Sequence, residues 1–490
     1  RRQNAFIYNL RPSFITSQIH SSSQALSTSN TFIMTITETI PAITTPVTVK
    51  VNEDDFWPRA NKYLMYTGVP PSPVVITKAL GTRLYDSNGR QILDFTSGQM
   101  SSLLGHSHPE IVEVVKKYVG ELDHLISNMI TEPVVELAER LARIPPAGLD
   151  KSFFLNTGSE TTEAAIKMAK CATGKFEIVA FSASYHGLTS GSGAATYSAG
   201  RRNGGPTMPG QLAFPAPYPY RSPFKKADGS YDWETELEFG WSMIDRQSVG
   251  SLAAFIMEPI LSTGGILEPP KGYLTRMAEE CKKRGMLLVL DEAQTGVGRT
   301  GEMFAFENEG IVPDILCLSK TLGCGLPLAS VTTTAEVERG CKEARFLWLT
   351  THLNDPLTAA VGCKVLEIVE RDNVPQKAAE RGQQLRAGLL KLQQKYWCIG
   401  DIRGRGLLQG VEIISDKEAR APGSDLGQAV SEVAMSSGLS CNVVNLPGMG
   451  GVFRLAPPVT VTVDEIEEGL HILDKAFEQV LTKRGQMSAV

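Results

Sequence analysis

From about residue 106 onward, short apolar runs of strand length alternate with amphipathic stretches of helical period. Strand runs are read at 152–155, 177–181, 253–257, 286–290 and 314–318, and helices at 111–119, 134–142 and 160–170. The alternation predicts an α/β layer architecture with a mainly parallel sheet, because a parallel strand needs a crossover helix to bring the chain back beside it. In such sheets, ligands gather beyond the carboxyl ends of the strands. The chemically suggestive residues fall there. Run 152–155 leads into Asn156-Thr157-Gly158-Ser159-Glu160, 177–181 into Tyr185-His186-Gly187, and 253–257 into Glu258. Run 286–290 ends at Asp291-Glu292-Ala293-Gln294, and 314–318 at Ser319-Lys320. If these strands are parallel neighbours, the clusters converge on one crevice.

Around this block, 56–66 reads as a helix and 83–95 as a hairpin turned at Ser87-Asn88-Gly89. Beyond it come a long charged helix at 376–394, strand residues punctuated by glycine at 402–414, and a final helix at 464–481. We therefore expect a leader at 1–47, disordered or targeting; an N-terminal segment of a small domain at 48–105; a large domain at 106–375; and the rest of the small, α+β domain at 376–490. Residues 1–37 carry Arg1, Arg2 and Arg11, many Ser and Thr, and no acid, the profile of a mitochondrial transit peptide. The cytoplasm is the expected location, with the mitochondrial matrix as the alternative.

Charge and cysteine usage exclude several classes. The 48 basic and 53 acidic residues leave a net charge of −5, and no long basic block offers a phosphate-backbone footprint, so nucleic acid is not expected as a partner. No apolar run approaches the ~20 residues of a membrane span. The 8 cysteines form no C-x-x-C pair and read as reduced, packed thiols of an intracellular protein.

Thr157 and Glu160 fit a capping box at the start of a helix, and Gly158 there would let backbone N–H groups meet a phosphate. An ordinary capped helix is the alternative reading of that segment alone. Asp291 closes an apolar run, so its carboxylate needs a partner, for which a cationic heterocycle nitrogen is suitable. Lys320 stands at the end of another apolar run, where an amine is costly unless paired, neutralised or covalently engaged. A salt bridge between the two would satisfy both. Lysine, carboxylate and phosphate cradle together instead describe a pyridoxal-phosphate site, with Schiff-base lysine, pyridinium partner and anion clamp.

The run from Asp291 through Glu292-Ala293-Gln294-Thr295-Gly296-Val297-Gly298-Arg299-Thr300 to Gly301, followed by Pro313-Asp314-Ile315 and Ser319-Lys320, resembles the class III aminotransferase branch of the fold-type-I pyridoxal-phosphate enzymes. Within that branch four stretches resemble the 2,2-dialkylglycine decarboxylases. They are Asp94-Phe95-Thr96-Ser97-Gly98-Gln99-Met100-Ser101, Gly105-His106-Ser107-His108-Pro109-Glu110, Thr351-His352-Leu353-Asn354-Asp355-Pro356-Leu357 and Pro447-Gly448-Met449-Gly450-Gly451-Val452-Phe453-Arg454. The likeness runs from about Phe56 to about Val480.

The resemblance implies a large domain with a mainly parallel seven-stranded sheet and a smaller α+β domain. It also implies roles. Lys320 would carry the cofactor and shuttle protons, Asp291 would hold the pyridine nitrogen protonated, and Gln294 would reach the ring hydroxyl. Tyr185 would stack on the ring, with His186 beside it. Gly158 and Ser159 would bind phosphate, joined by Thr351 of a second subunit, so a homodimer or homotetramer is expected. Arg454 would bind a substrate carboxylate, and Gln99 would stand beside the carboxylate that leaves. A potassium or sodium ion is implied at Leu125, Ser127, Thr351, Leu353 and Asp355.

The activity so implied is decarboxylation and transamination of a 2,2-dialkylglycine such as 2-methylalanine, with pyruvate as the 2-oxo acid, giving ketone, CO2 and L-alanine. A class III aminotransferase acting on an amino acid or ω-amine without decarboxylation is the alternative. Tyr185 replaces a Trp of the decarboxylase pattern, Thr263 a Ser, and Ser159 and Cys324 alanines, which bear on substrate range more than on the cofactor. His106 and His108 lack a zinc-binding context and read as structural.

Overall fold

The computed structural model describes residues 51–198, 205–445 and 450–486. The leader expected at 1–47 lies outside the described residues, as do Pro447, Gly448 and Met449.

Three sheets organise the described residues. The first begins with the expected hairpin: β1 (Ile76–Leu80), β2 (Arg83–Asp86) and β3 (Gln91–Asp94) pair antiparallel in succession. Asp86 closes the turn, its Oδ1 accepting from the amides of Asn88 at 2.9 Å and Arg90 at 2.8 Å while Gly89 takes a φ of 78°.

The central sheet has seven strands: β4 (Lys151–Leu155), β5 (Glu177–Phe181), β6 (Gln211–Phe214), β7 (Leu252–Met257), β8 (Leu287–Asp291), β9 (Ile315–Leu318) and β10 (Ala329–Thr333). Their order is β4-β10-β9-β8-β7-β5-β6. Neighbours run parallel except β10, which is antiparallel to both β9 and β4. Strands β5, β7, β9 and β10 are buried at every position, as expected where helices cover both faces. One cover is the helix Gly158–Thr173, which buries Ala164, Ala165, Ile166, Met168 and Ala169. Strand β10 was not anticipated, because Ala-Ser-Val-Thr-Thr is a weak apolar signal; its burial comes from the strands on either side.

The third sheet uses β11 (Ile399–Arg405), β12 (Leu408–Ile413), β14 (Asn442–Asn445) and β15 (Gly451–Leu455) in the order β11-β12-β15-β14, all antiparallel. The strand region expected at 402–414 is therefore a hairpin, which reverses at Gly406 with a φ of 52°. Between the helix Ser424–Ser436 and β14 lies β13 (Leu439–Ser440), which pairs parallel with β3. The chain thus passes from the first sheet to the third between Ser440 and Asn442. Helices read at 56–66, 376–394 and 464–481 are Glu53–Tyr63, Val374–Lys395 and Val463–Lys483. The cysteines are all free, and no helix among the described residues is long and apolar enough to cross a membrane.

Candidate active site

A cavity of about 510 Å³ opens beyond the carboxyl ends of the central strands. Strands β7, β8 and β9 deliver Glu258, Asp291 and Lys320 to it from adjacent positions in the sheet. Lys320 follows β9 with a φ of 22°, a conformation that side-chain-bearing residues seldom adopt and that the surrounding packing must impose. Among the described residues its ammonium has no ion-pair partner. The salt bridge between Lys320 and Asp291, one reading of the sequence, is absent. Burial pushes the Lys320 pKa down, Asp291 and Glu258 oppose that shift, and Arg454 adds to it.

Asp291 is held elsewhere. Its Oδ2 lies 2.8 Å from His186 Nδ1, and its Oδ1 accepts from the Ala293 amide at 3.1 Å. Glu258, which the sequence marked only as a strand end, accepts from the amides of Tyr185 at 2.9 Å and Ser262 at 3.0 Å. Burial raises its pKa to about 7, with His186 opposing and Asp291 adding to the shift. Gln294 Oε1 accepts from Ser262 Oγ at 2.7 Å. Tyr185 lines the cavity, and burial raises its phenol pKa.

At one end of the cavity, Gly158 and Ser159 form the first turn of the helix Gly158–Thr173. Thr157 and Glu160 make the expected capping box, which leaves the Gly158 and Ser159 amides without intrahelical acceptors. A Cβ at Gly158 would come within 2.9 Å of Ser319 Oγ, so a side chain there would have to turn that hydroxyl away. That buried hydroxyl has no partner among the described residues, and neither does His186 Nε2.

Arg454 comes from β15 at another wall. Its Nε and Nη2 donate to Asn442 Oδ1 at 3.1 and 2.8 Å, and its Nη1 to Thr263 Oγ1 at 3.3 Å. Among the described residues it meets no carboxylate within ion-pair distance. Burial lowers its pKa to about 10, which still leaves it charged at neutral pH. Gln99 faces the same cavity from a turn in which Ser97 and Gly98 have φ values of 47° and 64°. Asp94 holds that turn by accepting from the amides of Thr96 at 2.8 Å and Gly98 at 2.7 Å, and is itself 2.8 Å from His106 Nε2. Buried Arg299 ties the turn to the segment that follows the strand of Arg454: it donates to Ser97 Oγ at 3.3 Å and to the Pro457 carbonyl. The structural role read for His106 corresponds to this contact with Asp94.

Thr351 is exposed and lies outside its own chain's cavity. Beside the set Leu125, Ser127, Thr351, Leu353 and Asp355 stand two imidazoles that the resemblance did not name. Both oxygens of Asp355 are taken by imidazoles, His124 Nδ1 at 2.6 Å and His352 Nδ1 at 2.5 Å, while Ser127 Oγ donates to the Thr350 carbonyl at 3.0 Å. Asn442, His124 and His352 were missed because their pairings depend on strand register and loop packing, which leave no local spacing signal.

Chemically, the cavity offers an amine poised to react and helix-terminal amides for a phosphate. It also has a buried carboxylate for a cationic ring nitrogen and an unneutralised guanidinium for a carboxylate. A family model described as aminotransferase class-III matches residues 65–477. The chain is 51% identical over 422 residues to an uncharacterized aminotransferase of Schizosaccharomyces pombe, covering 86% of this chain and 94% of that protein. It is 33% identical over 404 residues to a probable 4-aminobutyrate aminotransferase of Bacillus subtilis, covering 81% and 91%. Among solved structures, a PLP-bound amine transaminase from an uncultivated Pseudomonas species matches with a TM-score of 0.77 and 26% identity, covering 85% of this chain and 98% of that one.

Proposed function

The chain belongs to the class III aminotransferases, and from that premise we propose that it is a pyridoxal-phosphate-dependent enzyme moving an amino group between a small amino acid or amine and a 2-oxo acid such as pyruvate. The observation that carries this is the joint presence, in one cavity, of a lysine amine and an arginine that meet no ion-pair partner among the described residues. When bound, pyridoxal phosphate supplies an electron sink for charge developing at the substrate's α carbon. The chain's own groups do the rest. The Gly158 and Ser159 amides would hold the phosphate, Asp291 would keep the ring nitrogen protonated, and Tyr185 and His186 would bound the ring. Lys320 Nζ, its pKa lowered by burial, would hold the cofactor and move a proton at the substrate carbon. Arg454 orients the substrate by its carboxylate.

A homodimer or homotetramer belongs to the same proposal. Thr351 is exposed on its own chain and would complete the phosphate site of a second copy, and Leu64, Met65, Tyr66 and Val69 present exposed apolar surface.

One observation favours a second reading. Gln99 faces the cavity shared with Arg454, where it would suit a substrate whose carboxylate leaves as CO2, such as 2-methylalanine, with pyruvate then giving L-alanine. The names of the relatives support transamination and lend nothing to decarboxylation. An alkali cation, K⁺ or Na⁺, goes with this reading, but at Asp355 it would have to displace two imidazoles.

Incubation with carboxyl-labelled 2-methylalanine or with a panel of amino acids and primary amines, each with pyruvate, tests both. L-Alanine formed from an amino acid or amine without labelled CO2 is the expected result. Labelled CO2 in step with L-alanine establishes the second reading, and no L-alanine from any donor overturns the first with pyruvate as acceptor.

A further inference from the structure

Buried arginines ordinarily meet a carboxylate. Arg454 is only 7% exposed, yet among the described residues its partners are an amide oxygen and a hydroxyl. The sheet explains this arrangement. Arg454 lies in β15 between β12 and β14, directly opposite Gly410 on one side and Asn442 on the other. Directly opposed residues of an antiparallel pair project to the same face, with Cβ atoms about 5 Å apart. Gly410 contributes no side chain, and a Cβ there would come within 2.8 Å of Ile266 Cβ. Asn442 is therefore the cross-strand neighbour that can reach the guanidinium. Glu258, the acid nearest in function, has both carboxylate oxygens committed to the Tyr185 and Ser262 amides.

A guanidinium has five N–H donors. Three are engaged: Nε and one Nη2 proton by Asn442 Oδ1, and one Nη1 proton by Thr263 Oγ1. Two remain, one on each terminal nitrogen, for a carboxylate to take. Only the oxygen end of the Asn442 amide can serve here, since arginine cannot accept. An amide dipole fixes the plane of the cation without cancelling its charge. An aspartate at this position would take the same two donors and neutralise the site.

We propose that Asn442 is a positioning residue that sets the enzyme's specificity for carboxylate-bearing substrates, by orienting Arg454 while leaving its charge available to them. The proposal rests on the reading that Arg454 receives a substrate carboxylate. Asn442 is well placed to maintain that geometry, because it begins β14 just after Ser440 of β13 pairs with Asp94 of β3, the residue that holds the Gln99 turn.

The test compares wild-type, Asn442→Asp and Asn442→Ser holoenzymes, with isobutyrate, a carboxylate lacking the amine, as the probe in calorimetry. Asn442→Asp is expected to weaken isobutyrate on the order of 100-fold and Asn442→Ser about 10-fold. The KM for pyruvate should rise in parallel while kcat at saturation stays within about threefold. Isobutyrate affinity within twofold of wild type in the aspartate variant overturns the proposal, and so does a fall in kcat that matches the rise in KM, which indicates general damage. If the aspartate variant does not fold, the serine variant decides by the same criteria. Failure of the wild-type enzyme to bind isobutyrate removes the Arg454 anchor itself, and the role of Asn442 with it.

Discussion

His186 Nδ1 lies 2.8 Å from Asp291 Oδ2, both side chains are buried, and the far nitrogen of the same imidazole has no partner among the described residues. The contact joins the ends of two strands, β5 and β8, that are separated in the sheet by β7. It fixes the carboxylate against rotation at the cavity wall, which in the proposed function lets an oxygen face the cofactor's ring nitrogen. Asp291→Ala is expected to lower kcat/KM for amino transfer on the order of 100-fold or more. His186→Phe keeps the ring volume, removes the hydrogen bond, and should cost about 10-fold. Steady-state kinetics of both variants checks this, and equal losses would show that the imidazole does more than hold the carboxylate.

Lys320 is expected to bear the cofactor. Borohydride reduction of the wild-type protein should fix a pyridoxyl group on the Lys320 peptide, read by mass spectrometry. Lys320→Ala should lack that label and lose amino transfer by on the order of 1,000-fold. A label on another lysine of the wild-type protein would falsify the assignment.

Gly187 has a φ of 124°, and a Cβ there would stand 2.3 Å from Ser159 Oγ and 2.8 Å from Ser159 Cα. Gly187→Ala must therefore displace the first turn of the helix Gly158–Thr173. We expect about 1–3 kcal/mol of lost stability and at least roughly tenfold weaker cofactor binding. Thermal melting and cofactor titration measure the two separately, and unchanged cofactor affinity would mean that this turn does not hold the phosphate.

Glu292 lies next to Asp291 but turns away to cap the short helix Ala305–Glu309, accepting from Thr295 Oγ1 and from the amides of Ala305 and Phe306 at 2.8, 3.0 and 3.0 Å. Burial raises its pKa to about 7. The folded state therefore holds a proton that the unfolded chain gives up near its ordinary carboxylate value. The associated stability is complete below about 4.5 and is lost as pH rises toward about 7. Glu292→Gln does not titrate. Relative to wild type, its stability should improve by up to about 1.4 kcal/mol per pH unit across that window, measured by denaturant unfolding at each pH. A difference that stays constant with pH would show that Glu292 is ionised in the folded protein.

Much of the site was legible because its parts are local. Gly158, Asp291 and Lys320 each follow an apolar strand run, and a buried strand that ends in a charged or conformationally special residue announces itself in one dimension. Strand β10 was not legible, since five small or polar residues acquire their burial from neighbours distant in sequence. The strand residues expected at 402–414 form a hairpin because Gly406 permits a reversal that apolar patterning does not register.

The sequence by itself determined the layered α/β plan, the convergence of strand ends on one crevice, and the types of chemical group waiting there, because burial and backbone direction follow from residue pattern. Tertiary structure alone decided which of those groups are already satisfied. Asp291 pairs with His186 rather than with Lys320, Asp355 is held by His124 and His352, and Arg454 meets Asn442 instead of an acid. These choices depend on strand register and on distances of a few tenths of an ångström. Hydrogen bonds and desolvation are decisive at that scale, and it is not encoded in the spacing of residues along the chain.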